Sequence, residues 1–167
     1  LIDEFSMIAF SSAIEPLRAA NRANKENLYE WEILSLNGDP VCSSNGIFID
    51  PNDKLNENLK TDILFVCSGL NVMNKIDRRL LGILRKLARR GVQLGSLCTA
   101  SYLLAKAGLL SNRKTTIHWE NSLSMKEEFP ELEVTNNLFE IDRDRYSCSG
   151  GTSSLDLMLN IIIENHG

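Results

Sequence analysis

Alternating strand and helix patterns predict an α/β domain: a mainly parallel, doubly wound sheet with helices on both faces. Two stretches carry most of that expectation. DILFVC, residues 62–67, is an almost uniformly apolar run, as a strand covered on both faces requires. VQLGSL, residues 92–97, follows after a long amphipathic helix, and strand–helix–strand units of this kind close as right-handed parallel crossovers. The length of 167 residues fits a single domain over residues 1–167, large enough to bury roughly 70% of its unfolded surface without a disulfide or metal staple.

Each element can be justified in turn. Leu1-Ile2 reads as the tail of a strand cut short at its start, followed by the turn DEF. SSAIEPLRAANRAN, residues 11–24, reads as a helix with Ser11 or Ser12 as N-cap, Pro16 early and Ile14 and Leu17 inward. YEWEILSL alternates at Tyr29, Trp31 and Ile33, the period of a strand. Asn37-Gly38 and Asn45-Gly46 bracket residues 41–43 and lead into residues 47–49. Asn-Gly tolerates positive φ, so a small antiparallel hairpin excursion is expected there. DPNDKLNENLKT is a polar connector.

Residues 76–90 predict an amphipathic helix with Ile76, Leu80, Leu84 and Leu87 inward and Gly91 as its stop. After the strand over 92–97, a helix is expected over 99–107, stopped by Gly108. A strand over 115–117 and a short helix over 121–128 precede Pro130. Residues 138–142 and 146–148 pair across the turn RDR, and a last helix spans about 154–164.

Composition excludes several functions. A net charge of −4 and a pI near 5.3 leave no electrostatic footprint for nucleic acid. The basic helix RRLLGILRKLARR sets its charges opposite its leucines and has no interleaved aromatics, so it reads as a solvated face. No apolar run reaches membrane-span length and no signal peptide opens the chain. Cys42, Cys67, Cys98 and Cys148 are widely spaced, without a zinc-ligand or disulfide pattern, so reduced thiols in a cytoplasmic protein without cofactor or metal are expected.

In doubly wound sheets ligands gather at the carboxyl ends of strands. Three turns rich in small residues qualify: residues 68–71, 96–99 and 149–152. Cys98 stands where a strand gives way to a helix. There the helix dipole favours thiolate, and nearby amides can hold an anion. The bland alternative, a cysteine that fills space, stays open; it is preferred for Cys42 and Cys67, and Cys148 is undecided. His118 can serve Cys98 as a base or bind a ligand, or be satisfied by one backbone partner. His166 reads as solvated. Trp119 is the aromatic placed near the site, whereas Tyr29 and Trp31 read as core or interface. His118-Trp119-Glu120 imitates the H-x-E of a Cys-His-Glu triad, but a strand would not let the two side chains bond in line.

GSLCTASYLLAKAGLLSNRKTTIHW resembles the nucleophile-elbow segment of the ThiJ/PfpI family, in the class I glutamine-amidotransferase-like superfamily. The whole chain resembles the amino-terminal domain of GlxA-type regulators of the AraC family. The motifs that carry this are Phe5-Ser6, EPLRAANR, S-x-G at Ser44–Gly46, CTASYLLAKAGLL, T-x-HW at Thr116–Trp119 and SGG-x-x-x-x-DL-x-L in residues 149–159. The resemblance implies a flavodoxin-like fold, homodimerisation and a small-molecule effector pocket at Cys98. It also implies DNA contact only through a carboxy-terminal helix-turn-helix domain of roughly a hundred residues lying beyond residue 167. The implied ligand-binding set is Gly69, Leu70, Cys98, Thr99, His118, Trp119 and Thr152, and the implied effectors are nitrogen compounds such as betaine, carnitine or arginine.

One departure separates sensing from catalysis. Family enzymes place a Glu or Asp beside the cysteine, and the isonitrile-hydratase-like members have Asp where FSMIAF has Ala9. Family proteases place His directly after the cysteine, where this chain has Thr99. Losing the acid removes a proton carrier that contributes about 10²–10⁴-fold. The expectation is therefore a non-enzymatic sensor, with catalysis by Cys98 and His118 as the alternative and oxidation of Cys98 as a third reading. Asp3, Glu4 and Glu15 are the neighbouring acids that would have to substitute.

Overall fold

The computed structural model describes residues 1–24 and 27–167. Leu1-Ile2 lies along the sheet: the Leu1 amino group donates to the Leu34 carbonyl at 2.6 Å and the Ile2 amide to the Cys67 carbonyl at 3.0 Å. Helix α1 (Met7–Asn24) begins ahead of residue 11 because Ser6 caps it, its Oγ accepting from the Ala9 amide at 3.4 Å.

The strand expected over YEWEILSL contracts to β1 (Leu34–Ser35). Its first half finds other partners. Asn21 clasps the Tyr29 backbone with bonds of 2.7 and 2.9 Å, and the Ile33 amide donates to Asn52 Oδ1 at 2.7 Å. Side-chain amides of this kind compete with a ladder for backbone groups. Strands β2 (Val41–Cys42) and β3 (Phe48–Ile49) form the expected antiparallel hairpin. The polar connector holds an unforeseen strand, β4 (Asp53–Lys54), parallel to β1.

Strand β5 (Ile63–Cys67) falls where its apolar run predicts. Helix α2 (Arg78–Arg89) starts later than residue 76, because the Asp77 side chain accepts from the Arg79 and Leu80 amides and fixes the N-terminus. Ile76 is left outside the helix, 40% exposed, rather than on its buried face. The α2 arginines face solvent, and Arg85 bonds to the Ala107 and Lys106 carbonyls at 2.8 and 3.2 Å.

Strand β6 (Gln93–Leu97) leads to α3 (Ser101–Lys106), shortened at its start because residues 98–100 form the turn. Strand β7 (Lys114–Thr115) stops before Ile117 and pairs in parallel with the unforeseen β8 (Glu133–Val134). Between them α4 (Trp119–Glu128) begins two residues ahead of 121. Strands β9 (Phe139–Asp142) and β10 (Arg145–Cys148) pair antiparallel across the turn, and α5 (Ser153–His166) follows.

The main sheet runs β5-β6-β10-β9, parallel except at the β9 edge. Successive residues of β5 point to opposite faces. Leu64 and Val66 join the core made by α2, α3 and α4, with Leu84, Leu103 and Met125 fully buried. Phe65 and Cys67 join a second core beneath α1 and α5, with Phe5, Ala9 and Leu157. This is the doubly wound, flavodoxin-like arrangement. Among the described residues no helix is long and apolar enough to cross a membrane.

Candidate functional site

The turns after β5, β6 and β10 converge on Cys98. The Ser68 hydroxyl donates to Thr99 Oγ1 at 2.7 Å, and Thr99 in turn donates to the Gly69 carbonyl at 2.8 Å. Beyond β10, a Cβ on Gly150 would stand 2.8 Å from Cys98 Sγ. Gly150 has φ 91°, so both its conformation and its contact with the sulfur need glycine. Gly69 is equally confined, since a Cβ there would lie 2.3 Å from the Glu4 carbonyl oxygen.

Cys98 has φ 64°, a left-handed backbone that costs about 1–3 kcal/mol for a side-chain-bearing residue. Its surroundings hold it there. The Cys98 carbonyl accepts from the His118 amide at 3.1 Å. Below the turn, the Ser96 and Ser101 hydroxyls lie 2.8 Å apart, and Ser101 donates to the Thr116 carbonyl at 2.6 Å. Cys98, Ser96, Ser101 and Thr116 are buried, so breaking one of their bonds strands its partner away from water.

The electrostatics overturn one expectation. Burial pushes the Cys98 thiol up to about 11, reinforced by Cys148 and opposed by the Thr99 amide. The dipole reading favoured thiolate, but α3 starts only at Ser101 and is short, while Cys98 is 6% exposed. Desolvation wins. Cys67 is pushed up to about 12 by burial, and Cys148 is fully buried with Ser154 Oγ 3.2 Å from its sulfur. Both pack rather than react.

His118 stands immediately before α4. Its Nδ1 is buried without a hydrogen-bond partner, and Glu120 Oε2 lies 3.7 Å away, beyond hydrogen-bonding reach. The H-x-E match therefore makes no in-line pair, though a helix rather than a continuing strand is the reason. Trp119 is 75% exposed and its ring lies 5.7 Å from the imidazole.

Ala9 is fully buried in the same apolar cluster as Cys98. The acids that would substitute are engaged elsewhere. Lys75 holds Asp3 at 2.9 Å and Glu4 at 3.1 Å, and Asn71 also donates to Glu4; Glu15 pairs with Arg18. Bonds from Asn71 and then Lys75 hold the Glu4 carboxyl below its ordinary value.

Gly69, Cys98, Thr99 and His118 are thus brought together by direct bonds. Leu70, bonded through its amide to the Glu4 carbonyl, is 52% exposed at the edge. Thr152 is exposed two residues beyond Gly150, and its side chain caps nothing. Thr99 differs from its assignment in one respect: its hydroxyl accepts from Ser68 and donates to the Gly69 carbonyl, leaving it no proton to donate to a ligand. Gly150 was not singled out from sequence, although the small-residue turn at 149–152 marked the place. Among the described residues no His, Cys, Asp and Glu group is placed to hold a metal. A cleft of about 1310 Å³ opens away from this turn, between β1 and β5.

A cysteine held at left-handed φ, at the carboxyl edge of a doubly wound sheet, defines a nucleophile-elbow α/β domain. The chain belongs to the DJ-1/PfpI family, whose model matches residues 2–164. Among curated proteins it is 46% identical over 167 residues to the HTH-type transcriptional regulator CdhR of Pseudomonas aeruginosa, covering all of this chain and 49% of that protein. It is 36% identical over 168 residues to the HTH-type regulator GlxA of Rhizobium meliloti, covering 52% of it. An isonitrile hydratase of Pseudomonas putida is 28% identical over 128 residues, covering 75% of this chain and 54% of the enzyme. Among solved structures, an AraC family transcriptional regulator from Pseudomonas putida superposes with TM-score 0.88 at 30% identity, covering 99% of this chain and 89% of that one. The chain spans about half the length of the curated regulators it matches.

Proposed function

We propose that this chain is the effector-sensing and dimerisation domain of a cytoplasmic AraC-type transcription regulator. A small polar, nitrogen-containing metabolite would sit against Gly69-Leu70, the Cys98-Thr99 turn and His118-Trp119, with Thr152 at the mouth. The observation that carries this reading is the pairing of a preserved elbow with a disarmed thiol. Cys98 keeps φ 64°, yet Ala9 supplies no proton carrier and the sulfur is held neutral. The buried, unpartnered His118 Nδ1 is a polar group for a ligand to satisfy.

Helix α5 gives the coupling a route, because it begins just after Gly150, which touches Cys98. DNA would be contacted by a helix-turn-helix domain following residue 167. A 10-fold change in DNA affinity requires about 1.4 kcal/mol of differential binding. Thermal-shift screening against amino acids and methylamines tests the site, since a ligand at about 100 times its Kd stabilises by about 2.7 kcal/mol. A stabilising ligand whose shift persists undiminished in His118→Leu would place the site elsewhere. Light scattering tests dimerisation, and a monomer at micromolar concentration would count against it.

The retained elbow also favours a second reading, an active hydratase, glyoxalase-like enzyme or amidase using Cys98 and His118. Turnover of isonitriles or 2-oxoaldehydes that Cys98→Ala abolishes would establish it.

A further inference from the structure

The charges of the chain are segregated. Six of its 18 lysines and arginines fall between Arg78 and Arg90, and none of its 22 acidic residues does. The rest of the chain therefore sets 12 cationic against 22 anionic side chains. In α2 the leucines and Ile83 are buried, while Arg78, Arg79, Arg85, Lys86, Arg89 and the following Arg90 are all exposed. Among the described residues only Lys86 of these six meets a carboxylate, that of Glu57. Three guanidiniums are held instead by neutral oxygens. Arg79 donates to Asn37 Oδ1 at 2.9 Å, Arg85 to the Ala107 and Lys106 carbonyls, and Arg90 to the Glu57 carbonyl. Such bonds fix a guanidinium in place without neutralising it. Arg78 and Arg89 project into solvent. Gly82 lies between Arg78 and Arg85 on one helical ridge. A Cβ there would meet nothing within 4 Å, so packing inside the chain does not ask for glycine, which weakens a helix interior relative to alanine.

We propose that this face of α2 is the docking surface for an acidic helix of another protein. Arg78, Arg85 and Arg89 stand about 10 and then about 6 Å apart along the axis. A helix with carboxylates at the same spacing presents one to each, and the bare backbone at Gly82 lets it come close. Guanidiniums already held by neutral acceptors lose little freedom on binding. The acids nearest this face leave it open. Glu57 is bound to Lys86, Asp62 lies beside Arg90, and the Asp77 carboxylate caps α2. A short protein segment fits better than nucleic acid. No aromatic side chain stands among the cations as a stacking platform. A duplex longer than α2 would run past it onto a net-anionic remainder, where repulsion reaches about 8 Å at physiological salt. The surface belongs to the layer across the sheet from α1 and α5, so it stands independently of the sensing reading.

Fluorescence anisotropy on the 167-residue chain tests the proposal. The probe is a labelled alanine-based peptide of about 14 residues with glutamates at i, i+4, i+7 and i+11. It should bind, its glutamine counterpart should not, and its affinity should fall at least about 5-fold as salt rises from about 50 to about 200 mM. Arg78→Ala combined with Arg89→Ala removes none of the internal bonds above and should weaken binding at least about 10-fold. Gly82→Leu leaves every charge in place and should weaken binding by a similar factor, while the melting temperature holds or rises. No binding, or binding that either variant leaves intact, overturns the proposal. So does a DNA duplex of about 16 base pairs that displaces the labelled peptide at lower concentration than unlabelled peptide does. Self-association of the chain that the double variant abolishes overturns it as well, by seating a second copy on this face.

Discussion

Cys67 and Cys98 end neighbouring parallel strands one residue out of step, since Cys67 pairs with Leu97. Both are buried beneath α1, yet only one shows the backbone of a functional turn. Cys67 itself ends a strand in regular backbone, the first positive φ after it coming only at Asn71, whereas Cys98 sits at φ 64° with three loops bonded round it. Their thiols nonetheless agree: burial holds both protonated, near 12 and 11. Backbone shape and sulfur chemistry are therefore separable. The elbow geometry alone does not make a nucleophile, because a short helix cannot offset a dry, apolar setting.

The largest expected effect lies at the glycine that touches one of these cysteines. Gly150→Val adds a side chain 2.8 Å from Cys98 Sγ at φ 91°, which should cost more than about 3 kcal/mol in urea unfolding. Gly151→Ala has open space at φ 59° and should cost only about 1 kcal/mol. Equal losses would show that Gly150 is not braced against the thiol.

Ala9→Asp should follow in size, because it places a carboxyl among the residues packed round Cys98. A buried carboxyl has a raised proton affinity, so its cost should be small at low pH and grow as pH rises past about 4, reaching about 1–3 kcal/mol. A pH-independent loss would mean that the new side chain reaches water.

The cysteines themselves predict an alkaline limb. Their folded values lie above the ordinary 9.0, so their contribution is complete below about pH 9 and is lost as pH rises through 11 and 12. Cys67→Ala and Cys98→Ala should each flatten this limb, the former more. At pH 8, iodoacetamide should label the half-buried Cys42 before Cys67, Cys98 or Cys148. Faster labelling of Cys98 would restore the nucleophile reading.

The smallest effect is expected at His118. Its Nδ1 has no partner to lose, so His118→Leu should shift stability by less than about 1 kcal/mol while abolishing any ligand-induced thermal shift.

The contrast between the two cysteines also explains what could be read in the sequence. β5, β6 and the β9–β10 hairpin were legible because each carries its pattern locally. β4 and β8 were not, as two-residue strands in polar segments are specified by the partner across from them. β1 was overestimated because Asn21 and Asn52, distant in sequence, intercept its backbone. At the site, small residues marked the three turns and a motif marked Cys98. The commitment of the Thr99 hydroxyl and the protonation of the sulfur depend on neighbours from three separate loops, and no local pattern encodes them.

Helix α5 has a mechanical consequence. Its 14 residues make a rod of about 21 Å, pivoting on glycines at one end and lying against α1 along its length. A tilt of roughly 5° at the base would sweep the far tip by about 2 Å. Displacement is thus multiplied with distance from the pivot, and whatever is joined to the tip inherits the larger stroke.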